Sequence, residues 1–566
     1  MKMFFRKYIY IIGCTIVLAI IGIYGFLYTE WPKIQANIPV TFTIEAPDNA
    51  AVISLYQARD NQYYVFLPSY AKMEQTKINL TSNIDISIGD IELYDGLYCN
   101  NFEFGKEYSF RIKNRADTTL TFYQSANVAT LYIDTATGSM DRVHNDKDYK
   151  QPSSMMLITK DGTISHIDTN SHIKGRGNST WNQEKKPYLL KLSSSEPLLQ
   201  MAPSTDWVLL ANSFDVTNLR NKIIFDFAGQ TILSWTPKCE FVDLYLNGSY
   251  NGLYLLSERI ENNAEQLDLD ISKGDFICKV DLADRWDAMR HPFIGGYSGR
   301  EIELTVPKEP TPQAEQQIHS LVSEMEKSIL LSSATDTIPL INLDTWVCRY
   351  LIDEVFANGD ADLTSSYFYY KDGTFYAGPI WDYDNTLGNS IRNRNPRAFT
   401  AKNYRKAPYF DSDYYSSLYN NQMFYDRIQE MYKNDFLTML DKLITNDIPT
   451  LTKQIASANT MNYLRWTSMY ERSSSTITTS ERLTSYLEER INFLSDVWIN
   501  NIDYCTVQIE LHPGESYLNT SVIKGEFLDS ATLEITENIT WLDADTGEIF
   551  DINSPIWEDK SLIQLR

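Results

Sequence analysis

Histidine and cysteine are both scarce in this chain, with six of each among 566 residues. No histidine falls in an HExxH or similar spacing, which argues against a histidine-based zinc or iron site. The cysteines are scattered without a CxxC pair, and five of them lie outside the N-terminal apolar run. An odd number of widely spaced cysteines does not build a disulfide scaffold, so we expect buried free thiols.

Positive charge is also in short supply. The chain has 50 Lys and Arg against 74 Asp and Glu, a formal net charge of −24. Nucleic acid is therefore excluded as the main partner, because binding a phosphate backbone requires a basic face. A bound polyphosphate would need local cations or a metal ion to overcome the overall field.

One long apolar run stands near the N-terminus. Residues 8–28 are uninterrupted by charge and about long enough to cross a bilayer, with Lys2, Arg6 and Lys7 before them and Glu30 after. The positive-inside rule predicts a single-pass membrane helix with the bulk of the chain extracytoplasmic. No A-x-A cleavage site follows, which favours a retained anchor over a cleaved signal peptide.

The remainder is long enough for several domains of α+β class. Short alternating runs predict a small β-sandwich-like domain over 38–135, and the polar stretch 136–152 resembles a linker. Over 153–500, strands come first and amphipathic helices follow. The last segment, 504–566, returns to alternation and predicts a C-terminal β module.

The stretch "GPIWDYDNTLGN" places two carboxylates, Asp382 and Asp384, behind an aromatic run. Upstream, Asp372-Gly373 lies between "SSYFYY" and "TFYAG", a strong hairpin signal. A hairpin brings its open ends to about 5 Å from each other, so Asp360 and Asp382 are predicted to converge. A divalent cation and a proton acceptor would suit this pair, although Asp and Gly at strand ends are also ordinary turn residues.

A second feature is the stretch "HIKGRGNSTWNQEKKPYLLKL", in which a glycine-containing turn joins a strand bearing Lys191. Backbone amides of such a turn can approach phosphates, and a lysine on the next strand can pair with them. In isolation, Lys191 could equally be an edge-strand charge.

Three ordered motifs carry a family resemblance: "KGRGNSTW…KKPYLLKL", "YLNGSYNGLYLLSERI" and "DEVFANGD…SSYFYYKDGTFYAGPIWDYDNTLGN". Together they resemble the spore-coat protein H kinases, or CotH kinases, over roughly residues 150 to 400, with helices continuing to about 500. The resemblance implies an atypical, two-lobed protein-kinase-like fold. It also implies transfer of phosphate from ATP, with Mg²⁺ or Mn²⁺, to serine-containing proteins such as spore-coat proteins.

The family's residue roles can be carried over to this sequence. Asp360 in "NGD" resembles the catalytic aspartate, and Asp382 in "WDYD" resembles a metal ligand. Lys191 is the candidate phosphate lysine, and Arg176 in "GRGNSTW" a phosphate contact or loop brace. Glu258 in "YLLSERI" falls where the connection between lobes is expected, with a cofactor-binding role.

The sequence departs from a typical kinase at one metal ligand. A kinase has Asn five residues after the catalytic Asp, and here that residue is Ser365. The resemblance therefore leaves Asp384 or Asn385 as the second metal ligand. On the intervening helix, Arg220 and Asn221 stand where a partner of the lysine is expected, and no acid aligns there.

Three functions are compatible with these observations. The first is a membrane-anchored protein kinase whose partners are ATP and a serine-containing protein. The second is a cell-surface adhesion protein that reuses a kinase-like fold, since fold does not imply function. The third is a carbohydrate-active enzyme using the carboxylate pair, which would leave the glycine turn and Lys191 unexplained.

Overall fold

The computed structural model describes residues 38–565, apart from 47–48, 59–60, 82–84, 113–117, 403–413, 474, 511–516 and 530–538. The predicted membrane helix at 8–28 lies outside the described residues. Within the described ranges, no helix is long and apolar enough to cross a bilayer. Two compact units divide the chain, the first comprising residues 38–67, 71–124 and 248–250 and the second the rest.

The first unit contains two β-sheets. One has the order β2-β1-β5 and the other β3-β4-β9-β8-β6-β7. Phe42 of the first sheet meets Phe122 of the second edge-on at 5.8 Å, so both sheets contribute to one core. The alternating pattern of the sequence predicts such packing. The strands are β1 (Val40–Ala46), β2 (Asn49–Ser54), β3 (Tyr56–Gln57), β4 (Gln62–Leu67), β5 (Thr76–Leu80), β6 (Ile86–Ile88), β7 (Ile91–Glu92), β8 (Glu107–Ile112) and β9 (Thr118–Gln124).

The second unit begins with a closed barrel of strand order β10-β11-β12-β13-β14-β16-β15. Its strands are β10 (Ala129–Thr135), β11 (Gln151–Ile158), β12 (Ile164–Gly175), β13 (Tyr188–Glu196), β14 (Ser204–Leu210), β15 (Cys239–Leu246) and β16 (Ser249–Glu258). Strand β10 closes the barrel by pairing antiparallel with β11 and parallel with β15. Two helices interrupt the strands, α1 (Asp141–Asn145) and α2 (Arg220–Ala228).

This arrangement differs from the predicted domain boundaries. The sequence prediction ended the first β domain at residue 135 and placed a linker at 136–152, but β10 belongs to the barrel and α1 lies within the supposed linker. Alternation identifies a strand without identifying its partner, so the boundary could not be placed from pattern alone.

A second sheet of order β18-β19-β17-β20-β21 follows the barrel. It comprises β17 (Phe276–Asp281), β18 (Pro292–Ile294), β19 (Glu301–Val306), β20 (Ser366–Lys371) and β21 (Thr374–Ala377). The accompanying helices are α3 (Pro312–Leu330), α4 (Leu343–Val355), α5 (Tyr414–Tyr419), α6 (Gln422–Met431), α7 (Leu437–Lys442), α8 (Ile448–Arg465), α9 (Thr467–Glu471) and α10 (Ser480–Trp498). Side-chain caps begin several of them: Thr311 accepts from Ala314 N–H, and Asn342 from Thr345 N–H.

The C-terminal residues form a five-stranded sheet of order β23-β22-β26-β24-β25. Its strands are β22 (Tyr504–Glu510), β23 (Tyr517–Ile523), β24 (Trp541–Asp543), β25 (Ile549–Phe550) and β26 (Lys560–Gln564). A small core of its own includes Val507, Ile509, Trp541 and Leu562. The fold class is therefore mixed α+β, as the sequence predicts.

Candidate active site

A cleft of about 330 Å³ is lined by residues of the β12–β13 loop on one side and by residues of the second sheet on the other. Eight Lys and Arg and four Asp and Glu line it, an excess of positive charge in a chain of net charge −24. The cations are Lys147, Lys174, Arg176, Arg259, Lys279, Arg285, Arg290 and Lys308. Such a cleft attracts a polyanion such as a polyphosphate.

Arg176 lies on the loop that leaves β12. The central carbon of its guanidinium lies over the Trp381 ring, 5.4 Å from the ring centre. Burial lowers the pKa of Arg176, and the neighbouring carboxylates of Asp382 and Asp384 oppose that effect. A glycine precedes it because a Cβ at Gly175 would lie 2.5 Å from the Trp181 ring. The loop therefore directs a cation at the two aspartates predicted as metal ligands.

The predicted hairpin is confirmed. Strands β20 and β21 pair through Lys371 and Thr374, and the turn residues Asp372 and Gly373 have φ of 48° and 86°. These positive values at both central positions are what a type I′ turn requires. Helix α4 leads into the other end of the ribbon, where Asp360 lies within the turn at 359–363.

The two ends of the ribbon meet as the sequence predicts. Asn385 Nδ2 donates to Asp360 Oδ2 at 3.3 Å, and Ser365 Oγ donates to Asp382 Oδ2 at 3.1 Å. Ser365 occupies the position where a typical kinase has its metal-binding Asn, and here its hydroxyl contacts the other metal-ligand candidate. Hydrogen bonding thus links the Asp360 turn to the 382–385 segment.

The carboxylates of Asp360, Asp382 and Asp384 lie close enough to affect one another. Burial raises the pKa of Asp384 well above its ordinary value, and Asp382, Asp215 and Asp360 raise it further. Burial also raises the pKa of Asp360. The Arg392 guanidinium, 3.7 Å from the Asp360 carboxylate, lowers that pKa, and the Asp382 carboxylate raises it. An accumulation of carboxylate charge suits a divalent cation that prefers oxygen ligands.

A complete protein-only metal cage is not formed by the residues described. Among them, no group of three or more His, Cys, Asp or Glu side chains has the geometry to hold a metal ion. Mg²⁺ commonly uses one or two carboxylates and takes its other ligands from water and substrate phosphates. Asp382 and Asp384 fit that requirement, since both supply carboxylate oxygens beside the cationic cleft.

The structure distinguishes the two aspartates of the "NGDAD" turn. Asp362 is buried, accepts the Tyr414 N–H at 2.8 Å and pairs with Arg300 at 2.9 Å. The Asp360 side chain is 28% exposed. The Asp362 carboxylate is therefore occupied by structural contacts, whereas the Asp360 carboxylate is accessible to a substrate.

Lys191 and Glu258 lie apart from this cluster. Lys191 is half-exposed on the outer face of β13 and pairs with Asp206 at 3.1 Å across the strand, and it does not line the cleft. Glu258 is buried, and its carboxylate accepts the N–H groups of Ala202 and Lys238 at 2.9 and 3.0 Å. Their cofactor-binding roles remain predictions. Glu258 is the last residue of β16.

Sequence reasoning missed an ionic network on the floor of the cleft. Lys279 Nζ lies 2.8 Å from Asp281 and 2.7 Å from Glu303, and Arg285 lies 2.6 Å from Asp281. In "FICKVD", Lys279 and Asp281 alternate with the buried Cys278 and Val280. That alternation marks a polar strand face, which the fold turns towards the cleft.

Two comparisons with known proteins complete the description. A family model described as CotH kinase protein matches residues 173–494, from β12 to within α10. The match covers more than half of the chain and contains the glycine loop, the α4 helix, the hairpin and all three clustered carboxylates. The comparison with curated proteins found no match.

Proposed function

The chain belongs to the CotH kinase family, and from that premise we propose that it transfers the γ-phosphate of ATP to hydroxyl side chains of proteins, chiefly serine. The observation that carries the proposal is the continuity of the site. A cleft with surplus positive charge leads, through Arg176 and Trp381, to the carboxylates of Asp382, Asp384 and Asp360. In this proposal the barrel and the second sheet with its helices are the two lobes of a kinase-like domain.

Each group has a distinct task in the proposed reaction. Arg176 and neighbouring cleft cations bind the triphosphate, and Asp382 and Asp384 would hold Mg²⁺ or Mn²⁺. A bound divalent cation supplies charge neutralisation on the phosphate oxygens. Asp360 orients the acceptor hydroxyl and accepts its proton while the hydroxyl oxygen attacks the γ-phosphorus and ADP leaves. Burial favours this role because it raises the pKa of the Asp360 carboxylate.

We also propose that residues 8–28 anchor the protein in a membrane with the catalytic unit outside the cytoplasm. The apolar run and the cations that precede it support this orientation. The acceptor would then be a protein at the cell surface or in a spore coat, as the family resemblance suggests.

The proposed chemistry is tested with Asp382→Asn and a matched control, Asp372→Asn. Both replace Asp by Asn. Asp382 lies in the segment that follows the hairpin, whereas Asp372 is exposed at the hairpin turn, at the opposite end from the cleft. Phosphate incorporation from labelled ATP and thermal unfolding with and without Mg²⁺-ATP are measured for each protein.

The wild type and Asp372→Asn should both incorporate phosphate and be stabilised by Mg²⁺-ATP. Asp382→Asn should lose phosphoryl transfer and most of the ligand-induced rise in Tm while its ligand-free Tm changes little. Equal activity and equal ligand response in all three proteins would show that Asp382 is only a structural residue. Absence of ATP response in the wild type would refute the kinase proposal and favour a binding function.

A further inference from the structure

Helix α2 reaches the metal-binding segment through its second residue. We propose that Asn221 is a positioning residue that fixes the backbone between Asp382 and Asp384. This inference rests on the proposed function, in which the two aspartates hold the metal ion. Asn221 Oδ1 accepts the Tyr383 N–H at 2.8 Å, a contact between residues 162 positions apart. Its Nδ2 donates to Asn212 Oδ1 at 3.1 Å, so both ends of the amide are used.

The bond acts on a peptide that needs support. Asp382 has φ of 70°, in the left-handed region that non-glycine residues seldom adopt. Such a conformation persists only where surrounding contacts hold it, and it is found preferentially at functional sites. The Tyr383 N–H belongs to the peptide directly after Asp382, so the Asn221 carbonyl fixes the orientation of that peptide.

The rest of the segment is held independently of Asn221. The Tyr383 hydroxyl donates to Asp353 on α4, and the Tyr383 carbonyl accepts from Thr386 Oγ1 at 2.7 Å. Arg220 donates to the carbonyls of Thr386 and Leu387 at 2.9 and 3.2 Å. Loss of the Asn221 acceptor should therefore leave the chain path in place and release only the peptide that sets the direction of Asp382.

Asn221 is nearly fully buried, with 3% of its surface exposed. It does not line the cleft and so is not expected to touch nucleotide or acceptor. Its effect would pass through the two aspartates: a rotated peptide misdirects their carboxylates, and the metal ion loses a well-placed ligand. Groups that orient metal ligands in this way commonly change metal affinity when they are altered.

The test compares Asn221→Leu, which removes the acceptor, with a control variant that leaves the acceptor in place. The control Asn212→Gly removes the other partner of Asn221 and tolerates the φ of 49° at that position. For each full-length protein, we measure the Mg²⁺ concentration that gives half-maximal phosphate incorporation. We also measure Tm without ligand and with Mg²⁺-ATP.

Asn221→Leu should raise the half-maximal Mg²⁺ concentration by roughly tenfold or more and reduce the Mg²⁺-ATP-induced Tm shift. Asn212→Gly should remain within roughly threefold of wild type, because the acceptor to Tyr383 N–H is kept. If Asn221→Leu does not fold, Asn221→Ser replaces it, since a hydroxyl on a shorter side chain does not reach Tyr383 N–H.

Two results would overturn the inference. One is a folded variant that lacks the acceptor but needs no more Mg²⁺ than the wild type for half-maximal phosphate incorporation. The other is an equal loss in Asn221→Leu and Asn212→Gly, which would show that the acceptor is not what matters. Both differ from failure of the proposed function, in which the wild type itself shows no response to Mg²⁺-ATP.

Discussion

The buried Lys185, on the loop between β12 and β13, allows a quantitative test of the cost of burying a charge. The residue is fully buried, its ammonium donates to the Leu253 carbonyl, and its Nζ lies 4.7 Å from the centre of the Tyr254 ring. Within the described residues no carboxylate lies within ion-pair distance of it. Burial lowers the pKa of Lys185 from 10.5 to about 7, with Asp243 opposing that change. We predict that Lys185→Met stabilises the protein at low pH.

The sign follows from proton binding. Between pH 7 and 10.5 the unfolded chain binds a proton at Lys185 that the folded chain does not, so wild-type stability rises with pH across this window. The cost of burying the lysine is fully present below about pH 7 and absent above pH 10.5. Methionine has a similar length and no charge, so it removes this cost.

The magnitude follows from the same difference. At about 1.36 kcal/mol for each pKa unit, the cost is on the order of 5 kcal/mol below pH 7. Methionine leaves the Leu253 carbonyl without its donor, which costs about 1 kcal/mol at every pH. The net gain is therefore roughly 4 kcal/mol at pH 6 and turns into a loss of about 1 kcal/mol above pH 10.5.

Scanning calorimetry at pH 6, 8 and 10.5 measures the difference in Tm between the variant and wild type. We expect Lys185→Met to unfold several degrees higher at pH 6 and slightly lower at pH 10.5. The control Lys160→Met, at an exposed position, should show no such pH-dependent reversal. A variant that is less stable than wild type by the same amount at all three pH values would refute the reasoning, because Lys185 would then be charged and well accommodated.

Further predictions concern the site and the anchor. Asp360→Asn should reduce phosphoryl transfer by roughly a hundredfold or more with little change in ligand-free Tm. Asp362→Asn should instead cost about 3 kcal/mol of stability, because it removes the carboxylate that pairs with the buried Arg300. Calorimetry and kinetic assays separate the two effects. Arg176→Met should raise the KM for ATP more than Lys191→Met, since only Arg176 lines the cleft, and the reverse order would identify Lys191 as the phosphate contact. Protease added to intact protoplasts should digest the portion beyond the proposed anchor, and full protection of that portion would contradict the topology.

Local signals predicted much of the site's framework. Asp372-Gly373 favours a turn with two positive φ values, and that turn sets the register of the hairpin. Once the register is set, the convergence of Asp360 and Asp382 follows by counting along the two strands. The motif order also predicted the family, because its three segments occur in sequence within the matched region.

Other assignments depended on contacts between distant segments. Alternation places Leu189 and Lys191 on the same outer face of β13, but Leu189 lines the cleft while Lys191 meets Asp206. Asp360 and Asp362 are equally plausible in a turn, and only the buried arginine beside Asp362 separates them.

The sequence by itself determined several barrel strands, the amphipathic helices and the hairpin, because each depends on dihedral preferences and periodicity over a few neighbouring residues. The tertiary structure alone decided that β10 closes the barrel, that the cations collect in one cleft and that Asn221 holds Tyr383 N–H. These features depend on which faces pack together after the chain has folded. Burial and pairing then depend on residues far apart in the sequence, and no local pattern specifies them.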